Sequence, residues 1–338
     1  MTSTIQTPFA SRITGTGSAF PEPTLTNDDL SKRIETNDQW IRERTGIAQR
    51  RVSRRGNEAE FNSALGLRAS TRALEMAGKR PEDIDQIFYA TCSPDTLIPS
   101  TGCWLQKKMG AKNAAAMDLN AACSGFVYAL SVADQYVRTG FAKTVLVVGA
   151  EVLSAFVDWD DRGSCILFGD GAGAMVIERA PADSPRRILS THIGSDGNLW
   201  DLFHIPAGGS NVELTPEQYA ARQGKMQMKG REIFKEAVRT LAEYADIALR
   251  TNGIQTEQVD WLVPHQANLR IIEAVAKRMN FPMSKVVTNI DRFGNTSSAT
   301  VPTAMDEAVR DGRIQPGQLV LLDVFGAGLT YGSVLLRW

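Results

Sequence analysis

Residues 73–90 read ALEMAGKRPEDIDQIFYA, and a related stretch returns further along the chain, where residues 248–263 read ALRTNGIQTEQVDWLV. An Ala-Leu pair, a Gly, a Glu and an Ile/Val-Asp pair recur at one constant offset of 175 positions. In both copies a helix end, a loop and the start of a buried strand follow one another in the same order. Repetition of a segment in this way indicates a duplicated fold.

The pattern around these segments predicts the fold class. In each copy the Asp is followed by an apolar run typical of a buried strand, and a second pair of such runs, at residues 145–148 and 320–322, keeps the same offset. Strands that alternate with helices predict an α/β fold, here in two packed copies. The periodic pattern breaks at residues 181–185, which read PADSP, so we place the two halves at residues 1–183 and 184–338.

The overall composition is that of an ordinary globular protein. Of 338 residues, 43% are hydrophobic and 22% are charged, and the formal net charge of -1 argues against a general binder of nucleic acids or other polyanions. No stretch approaches the roughly 18 apolar residues of a membrane span, and residues 1–11 contain no apolar segment of the signal-peptide type. We therefore expect a cytoplasmic location.

Four cysteines are present, and their spacing is informative. There is no Cys-x-x-Cys pair and no Cys/His ligand pattern, so the sequence predicts neither a metal site nor a disulfide framework. Cys92 and Cys103 lie in or beside a loop rich in Pro, Ser and Thr, and Cys165 opens an apolar run. We interpret these three thiols as structural.

Cys123 stands where a strand turns into a helix. Residues 114–119 have the pattern of a short buried strand, and the apolar spacing within residues 124–137 predicts a helix. The unpaired N–H groups and positive dipole end of a helix start stabilise a thiolate, and the same N–H groups can bind an oxyanion. Cys123 is therefore a candidate nucleophile. The alternative is a buried cysteine that only packs.

Only three histidines are available as partners of this thiol. His265 follows the predicted strand at residues 261–263, at the kind of strand end where α/β proteins bind ligands. His192 and His204 fall in a Gly-rich stretch and are predicted to lie in surface loops. The candidate for the site is therefore His265.

Asn295 lies in a Gly-Asn-Thr-Ser turn that opens onto another predicted helix. It corresponds to Cys123 in the repeat if Gly140 is matched to Gly312 at an offset of 172. An amide at this position can donate hydrogen bonds to a substrate, and it can equally cap the start of the helix. The residues alone leave both roles open.

Seven motifs spread along the chain are characteristic in combination: Trp40-Ile41, Arg44-Thr45-Gly46-Ile47, Ala121-Ala122-Cys123-Ser124-Gly125-Phe126, Phe168-Gly169-Asp170-Gly171-Ala172-Gly173-Ala174, Pro264-His265-Gln266-Ala267-Asn268-Leu269-Arg270, Gly294-Asn295-Thr296 and Phe325-Gly326-Ala327-Gly328-Leu329-Thr330. Together they resemble the β-ketoacyl-ACP synthase III enzymes of the thiolase-like superfamily, over essentially the whole chain. The Gly-rich run at residues 169–173 does not match a phosphate-binding loop, because no Lys-Ser/Thr follows it.

The resemblance implies a duplicated, thiolase-like α/β fold of five layers, αβαβα, in a homodimer. It implies that Cys123 takes an acyl group from acyl-CoA, and that malonyl-ACP then loses CO2 and attacks the thioester to give 3-oxoacyl-ACP, which initiates fatty acid synthesis. His265 and Asn295 would donate hydrogen bonds to the carbonyl on which enolate charge develops. The acyl-transfer oxyanion would be bound by N–H groups of Cys123 and of the loop at Ala327 and Gly328. No cofactor and no metal are implied, because both acyl carriers are substrates.

The resemblance also implies two sets of binding residues. For CoA these are Trp40 against the adenine ring, with Arg44, Thr45, Arg162 and Asn268. For the acidic carrier protein they are Lys235, Gln266, Arg270, Lys277 and Arg278, since a basic patch beside the site would steer an acidic partner. Arg231, Lys235 and Arg239 share one helix face at i, i+4 and i+8.

Two positions depart from the family pattern. The middle residue of the Gly326-Ala327-Gly328 loop is most often Gly in the family, and Ala at positive φ would be strained. In the acyl pocket, an aromatic or small residue near the subunit interface limits primer length in the family, and Ile98 occupies the matching position. The sequence does not identify the primer.

The sequence also bears on three alternative functions. The order Cys, His, Asn also fits papain-like proteases loosely, but the Cys-Gly-Ser-Cys-Trp motif is absent and the α/β duplication is foreign to that fold. A non-enzymatic scaffold is disfavoured because all three catalytic positions are filled. Within the superfamily, an enzyme of specialised metabolism that makes quinolone or polyketide precursors is the alternative, because it would use the same three residues.

Overall fold

The computed structural model describes residues 7–338. Most of residues 1–11, for which the sequence predicts no apolar segment of the signal-peptide type, therefore lies outside the described residues. The strands are β1 (Phe9–Ala19), β2 (Thr24–Thr26), β3 (Gln49–Arg51), β4 (Gln86–Ala90), β5 (Ala115–Leu119), β6 (Thr144–Glu151), β7 (Gly171–Pro181), β8 (Arg187–Ser195), β9 (Phe203–His204), β10 (Gln227–Met228), β11 (Trp261–Pro264), β12 (Leu319–Gly326) and β13 (Thr330–Arg337). The α-helices are α1 (Asn27–Ser31), α2 (Asp38–Thr45), α3 (Asn62–Ala77), α4 (Thr101–Met109), α5 (Gly125–Arg138), α6 (Pro216–Ala220), α7 (Gly230–Thr251), α8 (Leu269–Arg278), α9 (Ile290–Phe293) and α10 (Thr300–Arg310).

Two sheets with the same topology form the frame. The first has the strand order β1-β7-β6-β4-β5 and the second β8-β13-β12-β11. In both, the strand next to the edge (β7 or β13) is antiparallel to its two neighbours, while β4 and β11 run parallel to β6 and β12. The counterpart of β5 is reduced to a single parallel bridge between Leu262 and Val286. The duplication predicted from the repeated segment is confirmed.

The layers follow from which faces are apolar. Helices α3 and α4 cover the outer face of the first sheet, and α7 and α8 cover the outer face of the second. Helices α5 and α10 are enclosed between the two sheets, where Phe126, Leu130, Val301 and Met305 are at most 1% exposed. A helix that is apolar over most of its surface is stable only when buried in this way. The predicted five-layered αβαβα arrangement is confirmed.

The two central helices begin in the same way. Each follows a 3₁₀ turn, Ala122–Ser124 before α5 and Ser297–Ala299 before α10, and the first residue of each turn has a positive φ, 47° at Ala122 and 53° at Ser297. Their offset is 175, so the counterpart of Cys123 is Ser298. The predicted pairing of Cys123 with Asn295 is wrong, because α10 is three residues shorter than α5 (11 against 14), and Gly140 and Gly312 lie beyond that difference.

Two smaller expectations are also corrected. Strand β5, predicted to be buried, is an edge strand with exposed or half-exposed side chains, because its open side has no neighbouring strand within residues 7–338. His192 and His204 lie in β8 and β9 rather than in loops.

Residues 182–186, where the sequence pattern breaks, connect β7 to β8. No helix in the described part of the chain is long and apolar enough to span a membrane.

Candidate active site

Cys123, His265 and Asn295 line one cavity of about 540 Å³ between the two halves. Cys123 lies in the 3₁₀ turn between β5 and α5, and His265 directly follows β11. Asn295 lies in the turn that leads into α10. The chain thus brings a strand-to-helix turn from each half and one strand end to a common centre, which is where such a fold places ligands. These three positions, chosen from sequence, are neighbours in space.

The Cys123 thiol is protonated at rest. Its side chain is 6% exposed, and burial raises its pKa to about 12, although a hydrogen bond from Ser297 acts in the opposite direction. Desolvation disfavours the charged form of any buried thiol. Burial thus opposes the stabilisation of the thiolate expected at the helix start, and helix α5 begins only two residues after Cys123.

His265 is neutral. It is 3% exposed, and burial lowers its pKa to about 3. Its Nδ1 lies 2.7 Å from the Thr300 hydroxyl, and its backbone N–H donates to the Asp323 carbonyl at 2.8 Å, which fixes the residue to β12. With a neutral imidazole and a protonated thiol, the resting site contains no thiolate–imidazolium ion pair of the protease type.

Asn295 is held by its backbone and by its amide oxygen. Its N–H donates to the Leu167 carbonyl at 2.9 Å, and its Oδ1 accepts the Ser297 N–H at 2.9 Å. Such a bond to the residue two positions on is an Asx turn rather than a cap of helix α10, whose N-cap is Ala299. The amide Nδ2 has no protein partner within residues 7–338, so its donors are free for a ligand.

The loop at residues 326–328 is packed against the Cys123 turn. A Cβ at Gly326 would lie 2.8 Å from the Cys123 nitrogen and 2.9 Å from that of Ser124, so only Gly allows this approach. The Thr330 hydroxyl lies 2.8 Å from the Ala121 carbonyl and ties the two segments together. The expected strain at Ala327 is absent, because the positive φ (134°) falls on Gly328 instead.

Trp40 and two arginines border the same cavity. The guanidinium carbons of Arg44 and Arg162 lie 5.2 Å and 4.7 Å from the centroid of the Trp40 ring. Cation–π contacts of this kind hold an aromatic face and positive charge side by side. The geometry suits a planar base with attached phosphates.

Thr45 and Asn268 also line the cavity, but their polar atoms are already engaged. The Thr45 hydroxyl donates to the Ile41 carbonyl at 2.7 Å at the end of α2. Asn268 is the N-cap of α8, accepting from the Arg270 N–H at 2.9 Å, and its Nδ2 donates to the Arg44 carbonyl at 3.0 Å. Asn268 therefore positions α8 against α2, and direct bonds from either residue to a nucleotide would compete with these contacts.

The basic residues divide into distinct groups. Arg231 and Arg270 line the cavity, and the exposed Lys235 lies one turn after Arg231 on α7. Lys277 and Arg278 are exposed at the far end of α8. None of these five has an acidic partner within salt-bridge distance in residues 7–338, whereas Arg239 is paired with Glu236 and Glu243.

Gln266 and Ile98 are among the assigned binding residues that do not line the cavity of the single chain. Gln266 is fully buried, and its amide donates to the Pro264 and Val287 carbonyls while its oxygen accepts the Asn289 N–H. It supports the His265 loop and offers no surface to a carrier protein, which corrects that expectation. Ile98 is 89% exposed on the loop before α4, away from this chain's own acyl-binding cavity.

Three polar residues at the site were missed from sequence. Glu151, at the end of β6, is fully buried and accepts hydrogen bonds from the hydroxyls of Ser297 and Ser298, which ties the first half to the turn that carries Asn295. Burial raises its pKa. The Cys92 thiol, interpreted as structural, also lies 3.5 Å from this carboxyl. The hydroxyl-rich run of residues 296–300 and the strand-end position of Glu151 were the available signals.

Comparisons with known proteins agree along the chain. The model of the 3-oxoacyl-[acyl-carrier-protein] synthase III family matches residues 117–197, and that of the family's C-terminal region matches residues 249–338. The β-ketoacyl-[acyl-carrier-protein] synthase III of Xanthomonas campestris pv. campestris is 53% identical over 328 residues, which are 97% of this chain and 98% of that protein. The enzyme of the same name from Methylococcus capsulatus is also 53% identical, over 97% of this chain and 99% of its own.

Solved structures of similar enzymes also match this chain over nearly its whole length. The 3-oxoacyl-[acyl-carrier-protein] synthase III of Aquifex aeolicus VF5 superposes with a TM-score of 0.89 at 43% identity, covering 97% of this chain and 100% of its own. The priming β-ketosynthase of the R1128 polyketide pathway has the same TM-score at 35% identity, covering 100% and 99%.

Proposed function

Because this chain belongs to the β-ketoacyl-[acyl-carrier-protein] synthase III family, we propose that Cys123, His265 and Asn295 divide its condensing reaction between them. The enzyme is an acyltransferase that joins an acyl group from acyl-CoA to malonyl-ACP, with loss of CO2, and so initiates fatty acid synthesis. The observation that supports the assignment of residues is the single cavity lined by all three side chains.

In the first half-reaction the Cys123 sulfur attacks the acyl-CoA thioester. Because the thiol is protonated at rest, its proton must leave as the carbon–sulfur bond forms, and the departing CoA sulfur takes up a proton. The backbone N–H of Cys123 and an N–H of the 326–328 loop would stabilise the oxyanion, since Gly326 packs directly on the Cys123 turn. The products are the acyl-enzyme and free CoA.

In the second half-reaction malonyl-ACP loses CO2, and the resulting enolate attacks the acyl-enzyme. Loss of CO2 itself delivers the carbanion, so no base is needed at carbon, and the site instead needs donors at the thioester oxygen. A neutral imidazole N–H from His265 and an amide N–H from Asn295 meet this need, each contributing roughly 3 kcal/mol by analogy with other oxyanion holes. The chemistry requires no resident cofactor.

The sequence identity of the chain to its relatives favours fatty acid initiation over specialised metabolism. Enzymes named β-ketoacyl-[acyl-carrier-protein] synthase III are 53% identical to the chain, against 35% for the polyketide priming enzyme. The test is turnover of the purified protein with malonyl-ACP and a panel of acyl-CoA primers. We expect 3-oxoacyl-ACP together with an acyl-enzyme mass; the absence of both with every primer would refute the proposal.

We propose that Trp40, Arg44 and Arg162 bind the nucleotide of CoA, and that Arg231, Lys235 and Arg270 attract the carrier protein. The arginines beside Trp40 place positive charge next to a stacking surface. The carrier-binding side chains are exposed and lack acidic partners within the described residues. Lys277 and Arg278, at the other end of α8, would act only at longer range.

These assignments predict that each substitution weakens binding of only one of the two substrates. Trp40→Ala should raise KM for acyl-CoA about 10-fold, because stacking on a base contributes 1–3 kcal/mol, and leave KM for malonyl-ACP near the wild-type value. Arg270→Ala should raise KM for malonyl-ACP about 3-fold, as expected for an exposed ion pair. Arg239→Ala is the control, because its charge is paired within α7. Steady-state kinetics with each substrate varied in turn would decide, and equal effects on both constants would contradict the assignment.

We also propose a homodimer joined through β5. This strand has an open edge, which proteins usually cover, and Met117 on it is 40% exposed. The nearby Leu97 and Ile98 are 87% and 89% exposed, which is unusual for large aliphatic side chains that are neighbours in sequence. Ile98 would then reach the acyl pocket of the partner subunit. Light scattering should give twice the mass of the chain; an active monomer would contradict the proposal.

A cytoplasmic site of action is consistent with the thiol chemistry. All four cysteines are free, and the nucleophile must stay reduced, as it does in reducing compartments. Cell fractionation would test this part of the proposal, and recovery of the enzyme outside the cytoplasm would overturn it.

A further inference from the structure

The environment of His265 contains one buried side chain that can control its protonation. The Thr300 hydroxyl lies 2.7 Å from His265 Nδ1, and both residues are almost fully enclosed, with exposures of 1% and 3%. No carboxylate lies within hydrogen-bond distance of the ring among residues 7–338. The tautomer of the neutral imidazole is therefore decided by the direction in which the hydroxyl proton of Thr300 points.

That proton has two possible acceptors. The Thr300 hydroxyl is also 2.9 Å from the Ser297 carbonyl. If it donates to Ser297, then His265 must donate from Nδ1, and Nε2 carries a bare lone pair. If it donates to Nδ1, the imidazole proton lies on Nε2. One hydroxyl proton cannot serve both acceptors fully.

The backbone permits the second arrangement. The Ser297 carbonyl already accepts the backbone N–H of Thr300 at the end of the 3₁₀ turn, so it remains hydrogen-bonded when the hydroxyl turns away. Nδ1 of His265 has no such second donor within residues 7–338. Donation to Nδ1 therefore leaves no carbonyl of the turn unpaired, and it places the imidazole proton on Nε2, where the proposed function needs a donor.

We propose that Thr300 is a positioning residue that donates its hydroxyl proton to Nδ1 of His265 and so holds the Nε2–H tautomer. This rests on the proposed function, in which His265 donates to the thioester oxygen during decarboxylation. A bare Nε2 would face the developing negative charge with a lone pair and oppose it. Thr300 itself touches no substrate and acts only through His265.

Three variants test the role. Thr300→Val keeps the shape but removes the donor, and Thr300→Ser keeps the donor. Thr303→Val is the matched control, because the Thr303 hydroxyl is equally buried one turn later and donates only to the Thr300 carbonyl at 3.0 Å. Each half-reaction is measured separately: acylation by intact mass after mixing with acyl-CoA, and CO2 release from malonyl-ACP by the preformed acyl-enzyme.

We expect Thr300→Val to acylate at the wild-type rate and to lose about 10- to 100-fold in CO2 release, the usual cost of removing a hydrogen bond that orients a functional His. Thr300→Ser should recover most of this loss, and Thr303→Val should show none. An equal loss in both half-reactions, or no loss in Thr300→Val, would overturn the proposal.

A spectroscopic readout separates this inference from the proposed function. The chain has three histidines, so ¹⁵N-histidine labelling gives an interpretable two-bond ¹H–¹⁵N spectrum. We expect His265 to carry its proton on Nε2 in the wild type and to populate the Nδ1–H form in Thr300→Val. An Nδ1–H tautomer in an enzyme that condenses normally would refute the role of Thr300 alone. Failure of the wild type to condense would refute the function itself.

Discussion

Replacement of His265 by alanine should lower the rate of malonyl decarboxylation about 100- to 1000-fold and leave acyl transfer to Cys123 largely intact. Loss of one donor from a preorganised oxyanion site costs about 3–4 kcal/mol when charge develops on the bound oxygen. Acyl transfer uses a different set of donors, the backbone N–H groups of the Cys123 turn and the 326–328 loop. The two half-reactions therefore respond differently to the same substitution.

The measurement is single-turnover kinetics on each half-reaction, with His192→Ala as the control. His192 is a half-buried residue of β8 that bonds to Ser190 and does not line the cavity. An equal fall in both half-reactions of the His265 variant would show that the imidazole also serves acyl transfer, for example as the acceptor of the Cys123 proton.

The pH dependence gives a second check on His265. Because burial lowers its pKa to about 3, the imidazole is protonated only well below the physiological range. The decarboxylation step should therefore show no loss from histidine protonation as the pH falls from 8 to about 5, where an unperturbed histidine of pKa about 6.5 would lose its neutral form. An inflection near 6.5 in the wild type, absent from His265→Ala, would contradict the buried, neutral state.

Replacement of Cys123 by alanine should abolish the acyl-enzyme and all condensation. The thioester can form only on a sulfur inside the cavity, and Cys92, whose thiol contacts the Glu151 carboxyl, does not line that cavity. The intact mass after incubation with acyl-CoA should thus remain that of the unmodified protein.

Cys103→Ala is the matched control, since Cys103 lies on α4 with its sulfur 3.2 Å from the Ser100 hydroxyl and does not line the cavity. This variant should acylate and condense like the wild type. Persistence of a stoichiometric adduct in Cys123→Ala would assign the nucleophile elsewhere, with Cys92 the first residue to examine.

Much of the fold followed from patterns that act locally. The repeated segment at residues 73–90 and 248–263 encodes the same helix end and strand start twice, and both copies fold into equivalent positions of β4 and β11. The apolar spacing of residues 124–137 predicted α5 to within one residue at each end. Cys123 and His265 could be chosen because a strand-to-helix turn and a strand end are recognisable from sequence periodicity.

The expectations about Cys123, Gln266 and β5 that the structure did not support share a different cause. The protonation state of Cys123 depends on how completely two distant segments cover it, and the burial of Gln266 depends on Val287 and Asn289, about 20 residues away. The exposure of β5 depends on which strand lies at the sheet edge. None of these quantities has a local signal, because desolvation and hydrogen-bond partners are set by packing between elements.

The active site combines features that the sequence predicts with features that only the folded chain shows. Sequence patterns were sufficient for the duplicated α/β architecture and for the identity of the candidate nucleophile and histidine, because secondary structure follows from side-chain periodicity along the chain. Only the folded chain shows that Asn295 forms an Asx turn with free amide donors, that His265 is neutral, and that Thr300 and Glu151 belong to the site. Those properties arise where the two halves meet, and solvent exclusion there is a property of the assembled layers rather than of any one segment.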